Sequence, residues 1–168
     1  MTVKVDWNNA SLLHEAYWNY RIMATTVPWA KRAPNMPSEL TEAIVCLCTG
    51  AELIDEGHGD ILLPKGLIGE VKGTSSSDHD LSTFSPSSEF EKLFFVHMDP
   101  KSHDIYHVYD LGLNRRSIGG IMVNRTSTFA DHSKGNRRPR FSIIEQIIKP
   151  KSMKPTWKVD MSRSTIIQ

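Results

Sequence analysis

The sequence predicts an α/β domain in which a central mixed β-sheet is flanked by helices. Helical apolar patterns occupy residues 11–49 and return near residue 142, whereas β-hairpin patterns fill residues 59–73 and 92–111. A chain of 168 residues can bury roughly 70% of its unfolded surface around one core. We therefore expect residues 1–168 to form a single domain.

Helices are predicted at both ends of the chain. The first begins near Ser11, carries apolar residues at helical spacing and is closed by Pro28. The last begins at a capping box formed by Ser142 and Glu145 and ends at Pro150. Because the first turn of a helix has free backbone N–H groups, the start of this last helix is a candidate phosphate site.

A second N-terminal helix is predicted from Ser38, placed as its cap, to about Thr49. Gly50 follows as the C-terminal stop. Steps of three and four residues bring side chains together on a helix, so Glu39 and Glu42 share one face, away from the apolar stripe. This helix therefore presents two carboxylates on one side.

The central feature is a β-hairpin over residues 59–73 with its turn at residues 64–66. Because side chains alternate along a strand, Glu70 and Lys72 project to the same face. Asp60 lies on the facing strand, within reach of Glu70 if the register permits. Two carboxylates and an ammonium group would then converge.

The strands beyond this hairpin are less regular. Residues 74–88 are rich in Ser, Thr and Asp without periodicity, which predicts a mobile loop. Residues 92–98 and 105–111 form a second hairpin pattern, and residues 118–123 are a possible further strand.

Two carboxylates held close together repel each other unless a cation lies between them. Magnesium prefers oxygen ligands and keeps several waters and phosphate oxygens in its shell. A lysine beside such a site can orient or deprotonate a water, or stabilise developing charge. The expected chemistry is Mg²⁺-dependent hydrolysis of a phosphodiester.

Asp60, nine further residues, and then Glu70-Val71-Lys72 on the second strand of a hairpin resemble the PD-(D/E)XK nuclease superfamily. The resemblance covers residues 38–111 and implies that the α/β domain has a restriction-endonuclease-like core. It implies that Asp60 and Glu70 bind the metal, that the carbonyl of Val71 adds a ligand, and that Lys72 is the catalytic lysine.

The same resemblance bears on residues beside the motif. Glu42 occupies the helix position where many members of the superfamily carry an auxiliary acidic residue, and Glu39 is the second choice. Gly59 stands before Asp60 where the motif has proline, a substitution that the superfamily tolerates.

Charge is distributed unevenly along the chain. Residues 1–133 hold 11 Lys/Arg against 17 Asp/Glu, a net −6, whereas residues 134–168 hold 9 against 2, a net +7. Such asymmetry indicates a polyanionic partner for the basic part. The alternative is a solvated basic tail.

The segment over residues 128–142 is similar to the C-terminal part of small type II restriction enzymes. Guanidinium groups suit DNA because they bridge phosphates or read guanine O6 and N7. We expect a DNA-contacting segment over about residues 125–158, with these contact residues: Lys134, Arg137, Arg138 and Arg140.

The resulting hypothesis is a type II restriction endonuclease that cuts double-stranded DNA at a short site. A chain this small would read a palindrome as a homodimer, beside a cognate DNA methyltransferase. No segment is long and apolar enough to span a bilayer, so a cytoplasmic enzyme without a membrane partner is expected. The alternatives are a junction-resolving or repair nuclease of the same superfamily and a non-catalytic DNA-binding module.

Overall fold

The chain folds into a mixed β-sheet covered by helices on one face and by an aromatic layer on the other. A computed structural model describes residues 1–30, 32–56, 59–76 and 80–167. Its helices are α1 (Trp7–Thr26), α2 (Ser38–Thr49) and α3 (Phe129–Lys134). Its strands are β1 (Thr2–Lys4), β2 (Glu52–Ile54), β3 (Ile61–Leu62), β4 (Ile68–Thr74), β5 (Ser82–Thr83), β6 (Lys92–Met98), β7 (Ile105–Asp110), β8 (Arg140–Phe141), β9 (Trp157–Asp160) and β10 (Thr165–Ile167).

Within the described residues, eight strands form the central sheet in the order β1–β2–β3–β4–β6–β7–β9–β10. β4 and β6 run parallel, whereas β3–β4 and β6–β7 are antiparallel. The sheet is therefore mixed, and the predicted α/β class with a central mixed sheet is confirmed. β5 and β8 pair separately in an antiparallel ribbon.

The two faces of the sheet are packed differently. One face forms the helix-side core, in which Ile44 of α2 packs with Val71 and Val96 of the sheet. The other face forms the aromatic-side core, which includes Phe84, Phe95, Phe129, Phe141 and Ile143. β4 lies between the two cores, so its alternate side chains face different surroundings.

Helix α2 has the predicted bounds, and Gly50 ends it in the left-handed conformation at φ 71°. The cap is different, because Pro37 takes the N-cap position and the Ser38 hydroxyl bonds to the Glu39 carboxylate instead. Helix α1 begins four residues before the predicted Ser11, since the Asp6 carboxylate accepts the Asn9 N–H at 2.9 Å.

Other predictions need correction. The possible strand at residues 118–123 is wrong, because a 3₁₀-helix occupies Ser117–Gly120. The last helix is a π-helix over Ile144–Ile148. Part of the predicted loop forms β5, whose partner β8 lies 57 or more residues away, where local patterns carry no signal. Strands without a predicted counterpart are β1, β2, β8, β9 and β10.

No helix in the described ranges combines the length and the apolar character needed to cross a membrane.

Candidate active site

The predicted hairpin is confirmed as the antiparallel pair β3 and β4. Ile61 lies opposite Gly69 and Leu62 opposite Ile68, and a 3₁₀ turn over Pro64–Gly66 joins the strands. The Asp60 N–H donates to the Gly69 carbonyl at 3.0 Å. The register therefore places Asp60 just before the first residue of β3, beside the middle of β4.

Gly59 explains the departure from the proline of the motif. Its φ of +85° lies in the left-handed region, which the proline ring excludes and which side chains rarely adopt. A Cβ at this position would also overlap the side chain of Ile68. The local backbone therefore requires glycine before Asp60.

The Asp60 side chain is fixed by the strand that carries the other motif residues. Its Oδ2 accepts the Val71 N–H at 2.6 Å. Within a strand the N–H and C=O of one residue point to the same edge, so the Val71 carbonyl lies on the Asp60 side of β4. An acidic side chain and a backbone oxygen thus occupy the gap that opens where β3 begins.

Glu70 and Lys72 share one face of β4, as predicted. The Lys72 ammonium lies 2.7 Å from Glu70 Oε1, and the Ser88 hydroxyl donates to Glu70 Oε2 at 2.8 Å. Glu70 is 5% exposed. A buried carboxylate is costly unless it is paired and hydrogen-bonded, and both of its oxygens have a partner here.

Lys72 rests on the aromatic-side core. Its Nζ lies 5.3 Å from the centroid of the Phe84 ring. Phe84 stacks on Phe141 at 5.5 Å and meets Phe129 edge-on at 5.3 Å. An apolar wall therefore holds the ammonium group on the Glu70 side.

Glu42 joins the same electrostatic group from α2. Its pKa rises from 4.5 to about 7, first because of burial and then because of the nearby charge of Asp60. Burial and the charge of Glu70 likewise raise the pKa of Asp60, while Lys72 and the Val71 N–H oppose the rise. Glu39 is exposed and faces the N-terminal strand across another cleft. Of the two predicted auxiliary residues, Glu42 is the one beside Asp60.

The donor set fits a hard divalent cation. The pKa values of Asp60 and Glu42 are both raised, in part by neighbouring carboxylates, and a cation near them would relieve that repulsion. Across the described ranges, no three His, Cys, Asp or Glu side chains form a ready metal cage. A metal here would need backbone, water or phosphate oxygens as well, which is how Mg²⁺ is usually bound.

The predicted DNA-contacting side chains are exposed and lie at one side of the site. Lys134 ends α3, Arg137 and Arg138 lie in the irregular segment after the turn at residues 135–136, and Arg140 lies in β8. Phe141 follows Arg140 and stacks on Phe84, the ring under Lys72. Arg140 also faces Arg32 across a cleft of about 440 Å³ lined by residues 73–76 of the β4 end. The C-terminal end of the expected segment, residues 157–158, belongs to β9.

The start of the last helix does not offer the free donors that were expected. The Asp80 carboxylate accepts the N–H groups of Ile143 and Ile144, both at 3.0 Å, and the Ser142 hydroxyl at 2.7 Å. The Glu145 N–H is taken by the Ser142 hydroxyl. A phosphate site at this position is therefore wrong, since a buried internal carboxylate already fills it.

Four residues around the site were not predicted from the sequence. Ser88 contacts Glu70 and Phe84 lies under Lys72. Arg115 donates to the Ser88 carbonyl, and Asp80 accepts N–H groups at the start of the last helix. Ser88 stands 18 residues after Glu70 in a serine-rich stretch. No spacing rule distinguishes it from the neighbouring serines.

Comparisons with known proteins cover this site. A family model described as Bsp6I restriction endonuclease matches residues 5–150. The type II restriction enzyme Bsp6I of Bacillus sp. (strain RFL6) is 33% identical, over 99% of this chain and 96% of that relative. Both matches include every side chain described above, from Glu42 to Arg140.

Proposed function

Because the chain belongs to the Bsp6I restriction endonuclease family, we propose that Asp60, Glu70 and Lys72 are its catalytic residues and that Mg²⁺ is its metal. The protein is a type II restriction endonuclease that acts on double-stranded DNA and uses a divalent metal. The family supports this function over the two alternatives, a junction-resolving or repair nuclease and a non-catalytic module.

The observation that carries the proposal is the contact between Lys72 and Glu70 at 2.7 Å. The N–H of Val71, the residue between them, donates to the Asp60 carboxylate. An exposed structural ion pair would contribute little. In this pair Glu70 is buried and the partly buried Lys72 lies over an aromatic ring, beside two further carboxylates whose pKa values are raised. Perturbed carboxylates grouped in this way are typical of functional sites.

Asp60, Glu70 and the Val71 carbonyl would bind Mg²⁺, and Glu42 would assist from α2. When bound, the ion offsets charge on the scissile phosphate and lowers the pKa of a coordinated water.

The protein's own groups have separate roles in the reaction. The Val71 N–H fixes the Asp60 carboxylate, and Lys72 with Ser88 fixes both oxygens of Glu70. The Lys72 ammonium group orients the attacking water or stabilises the charge that develops on the phosphate. Water then replaces one ester oxygen at phosphorus, and one P–O bond of the DNA strand is broken.

Plasmid DNA incubated with Mg²⁺ tests the function. We expect discrete fragments from the wild-type protein and none from Glu70→Gln, which keeps the size of the side chain but removes its charge. Glu89→Gln is the matched control, because Glu89 is exposed on the same segment as Ser88. Cleavage by Glu70→Gln at the wild-type rate would overturn the site assignment.

We also propose that Lys134, Arg137, Arg138 and Arg140 contact the DNA. Their exposure and the acid-poor sequence around them support contact with phosphates or base edges. The expected consequence is a steep salt dependence of binding.

For the assembly we propose a homodimer, since two copies would read the two halves of a palindrome and each would cut one strand. Light scattering should then give twice the 19.0 kDa chain mass. We propose further that residues 1–168 act as one nuclease domain in the cytoplasm, beside a cognate DNA methyltransferase. A methyltransferase gene next to this one would support that pairing.

A further inference from the structure

Glu70 has a partner on each carboxylate oxygen, and one of them comes from outside the hairpin. Lys72 contacts Oε1, whereas the Ser88 hydroxyl donates to Oε2 at 2.8 Å. We propose that Ser88 is a positioning residue that holds Glu70 in its metal-binding orientation, and that Arg115 holds Ser88 in place. This inference rests on the proposed function, because it assigns a role to the support of a proposed metal ligand.

The chemistry of the hydroxyl suits this role. A carboxylate oxygen has two lone pairs, so a hydroxyl that donates to Oε2 leaves room for a second interaction on that oxygen. A glutamate side chain otherwise loses considerable rotamer entropy when it is fixed for binding. With Lys72 and Ser88 on its two oxygens, Glu70 has already lost that freedom in the metal-free protein. Residues that support metal ligands in this way strengthen metal binding.

Ser88 is itself held by a guanidinium fork. Arg115 donates from Nε to the Ser88 carbonyl at 2.9 Å and from Nη2 to the Pro86 carbonyl at 3.2 Å. Its guanidinium carbon lies 4.7 Å from the centre of the Phe129 ring. Its backbone N–H donates to the Phe90 carbonyl at 3.0 Å. Arg115 therefore grips the segment on both sides of Ser88 and sets the distance from the hydroxyl to Glu70.

The first test measures the Mg²⁺ midpoint in two ways: by calorimetric titration of the DNA-free protein with Mg²⁺, and as the Mg²⁺ concentration that gives half the maximal cleavage rate. We expect Ser88→Ala to raise it by roughly 10–100-fold, with the rate returning toward wild type at saturating Mg²⁺. Ser88→Thr, which keeps the hydroxyl, should restore the wild-type midpoint. Ser87→Ala is the control, because the exposed Ser87 hydroxyl pairs with Ser85 and not with Glu70. A merely structural role for Ser88 would lower the folded fraction without moving the Mg²⁺ midpoint.

The second test addresses the two hydrogen bonds from the Arg115 guanidinium to the Ser88 and Pro86 carbonyls. Lysine cannot donate to two carbonyls in the planar arrangement of arginine, so Arg115→Lys should raise the Mg²⁺ midpoint while Ser88 itself is intact. Arg116→Lys is the control, since Arg116 is adjacent and exposed. Should Ser88→Ala fail to fold, Arg115→Lys carries the same measurement.

The outcomes separate this inference from the proposed function. If Glu70→Gln is inactive while Ser88→Ala keeps the wild-type Mg²⁺ midpoint, or binds Mg²⁺ more tightly, the positioning role is overturned and the nuclease site stands. If Glu70→Gln cleaves like the wild-type protein, the proposed site itself is overturned.

Discussion

The β3–β4 hairpin and the basic segment over residues 134–140 both carry charges, but the two regions hold them differently. Glu70 is 5% exposed and both of its oxygens have side-chain partners. Arg137, Arg138 and Arg140 are exposed at the surface. The hairpin charges are held in place by contacts within the protein, whereas the arginine side chains lie at the surface, where we propose that they contact DNA.

This difference has energetic consequences. Buried charges in a low-dielectric site interact strongly and are weakly screened by salt, whereas exposed charges are screened within about 10 Å at 0.1 M salt. Substitutions in the hairpin should therefore change the chemical step or the stability. Substitutions in the basic segment should change DNA affinity and its salt dependence.

The largest expected effect is on the chemical step. Lys72→Ala should lower the single-turnover cleavage rate by roughly 10²–10⁴-fold, with little change in DNA affinity. The reason is that the Lys72 ammonium is held against Glu70, where the proposed metal and phosphate would lie. Rates at saturating DNA and Mg²⁺ provide the measurement.

Lys101→Ala is the control for this prediction, because Lys101 is exposed in the β6–β7 turn. An equal loss in both variants, or a loss in DNA affinity alone, would remove the contrast between the hairpin and the basic segment.

The next effect is on binding. Arg137→Ala and Arg138→Ala should each weaken DNA binding on the order of 10-fold. If they contact phosphates, each should also reduce the slope of log K against log salt by about 0.9. Fluorescence anisotropy at several salt concentrations measures both quantities, and Arg163→Ala serves as a distant exposed control. An unchanged slope with lost sequence preference would instead assign these side chains to base reading.

The same contrast explains how much the sequence could predict. The hairpin is local: a turn, alternating side chains and close motif spacing are enough to place Asp60, Glu70 and Lys72 together. Strands β6 and β7 were predictable for the same reason. Local patterns were therefore sufficient to predict the hairpin and the grouping of the proposed catalytic residues, but not the segments that pack around them.

The aromatic side depends on long-range contacts instead. Ser88 reaches Glu70 and Arg115 reaches Ser88 across 18 and 27 residues, and Asp80 bonds to residues more than 60 positions away. The segment at residues 118–123, for which the predicted strand was wrong, belongs to this region. Apolar periodicity was not sufficient there, because packing around Phe84 and Phe129 decides the local conformation.

Gly59 tests whether the hairpin backbone is as constrained as its geometry indicates. Gly59→Ala should lower the free energy of unfolding by about 1–3 kcal/mol, because the residue combines a positive φ with an overlap on Ile68. Gly66→Ala is the matched control: it also has a positive φ, at 78°, but open space around the added methyl group. Equal losses in chemical denaturation would show that the Ile68 contact is unimportant.

The smallest effect concerns Glu42, whose pKa rises from 4.5 to about 7 on folding. The folded protein therefore binds this proton more tightly than the unfolded chain does. The contribution of protonated Glu42 to the free energy of unfolding is fully present below about pH 4.5. It is lost as the pH rises through about 7. In the metal-free protein, ionised Glu42 at pH 8 is a source of instability.

Glu42→Gln removes that charge and keeps the shape. In EDTA the variant should match the wild-type protein at pH 4.5 and exceed its stability at pH 8. The gain should be on the order of 1 kcal/mol, after allowance for the solvent exposure of Glu42. Glu39→Gln, on the exposed side of the same helix, should show no such pH dependence if burial near Asp60 is the cause. Identical melting curves for the two variants at pH 8 would place Glu42 outside the charged group of the hairpin, and its role beside the metal would then have no electrostatic basis.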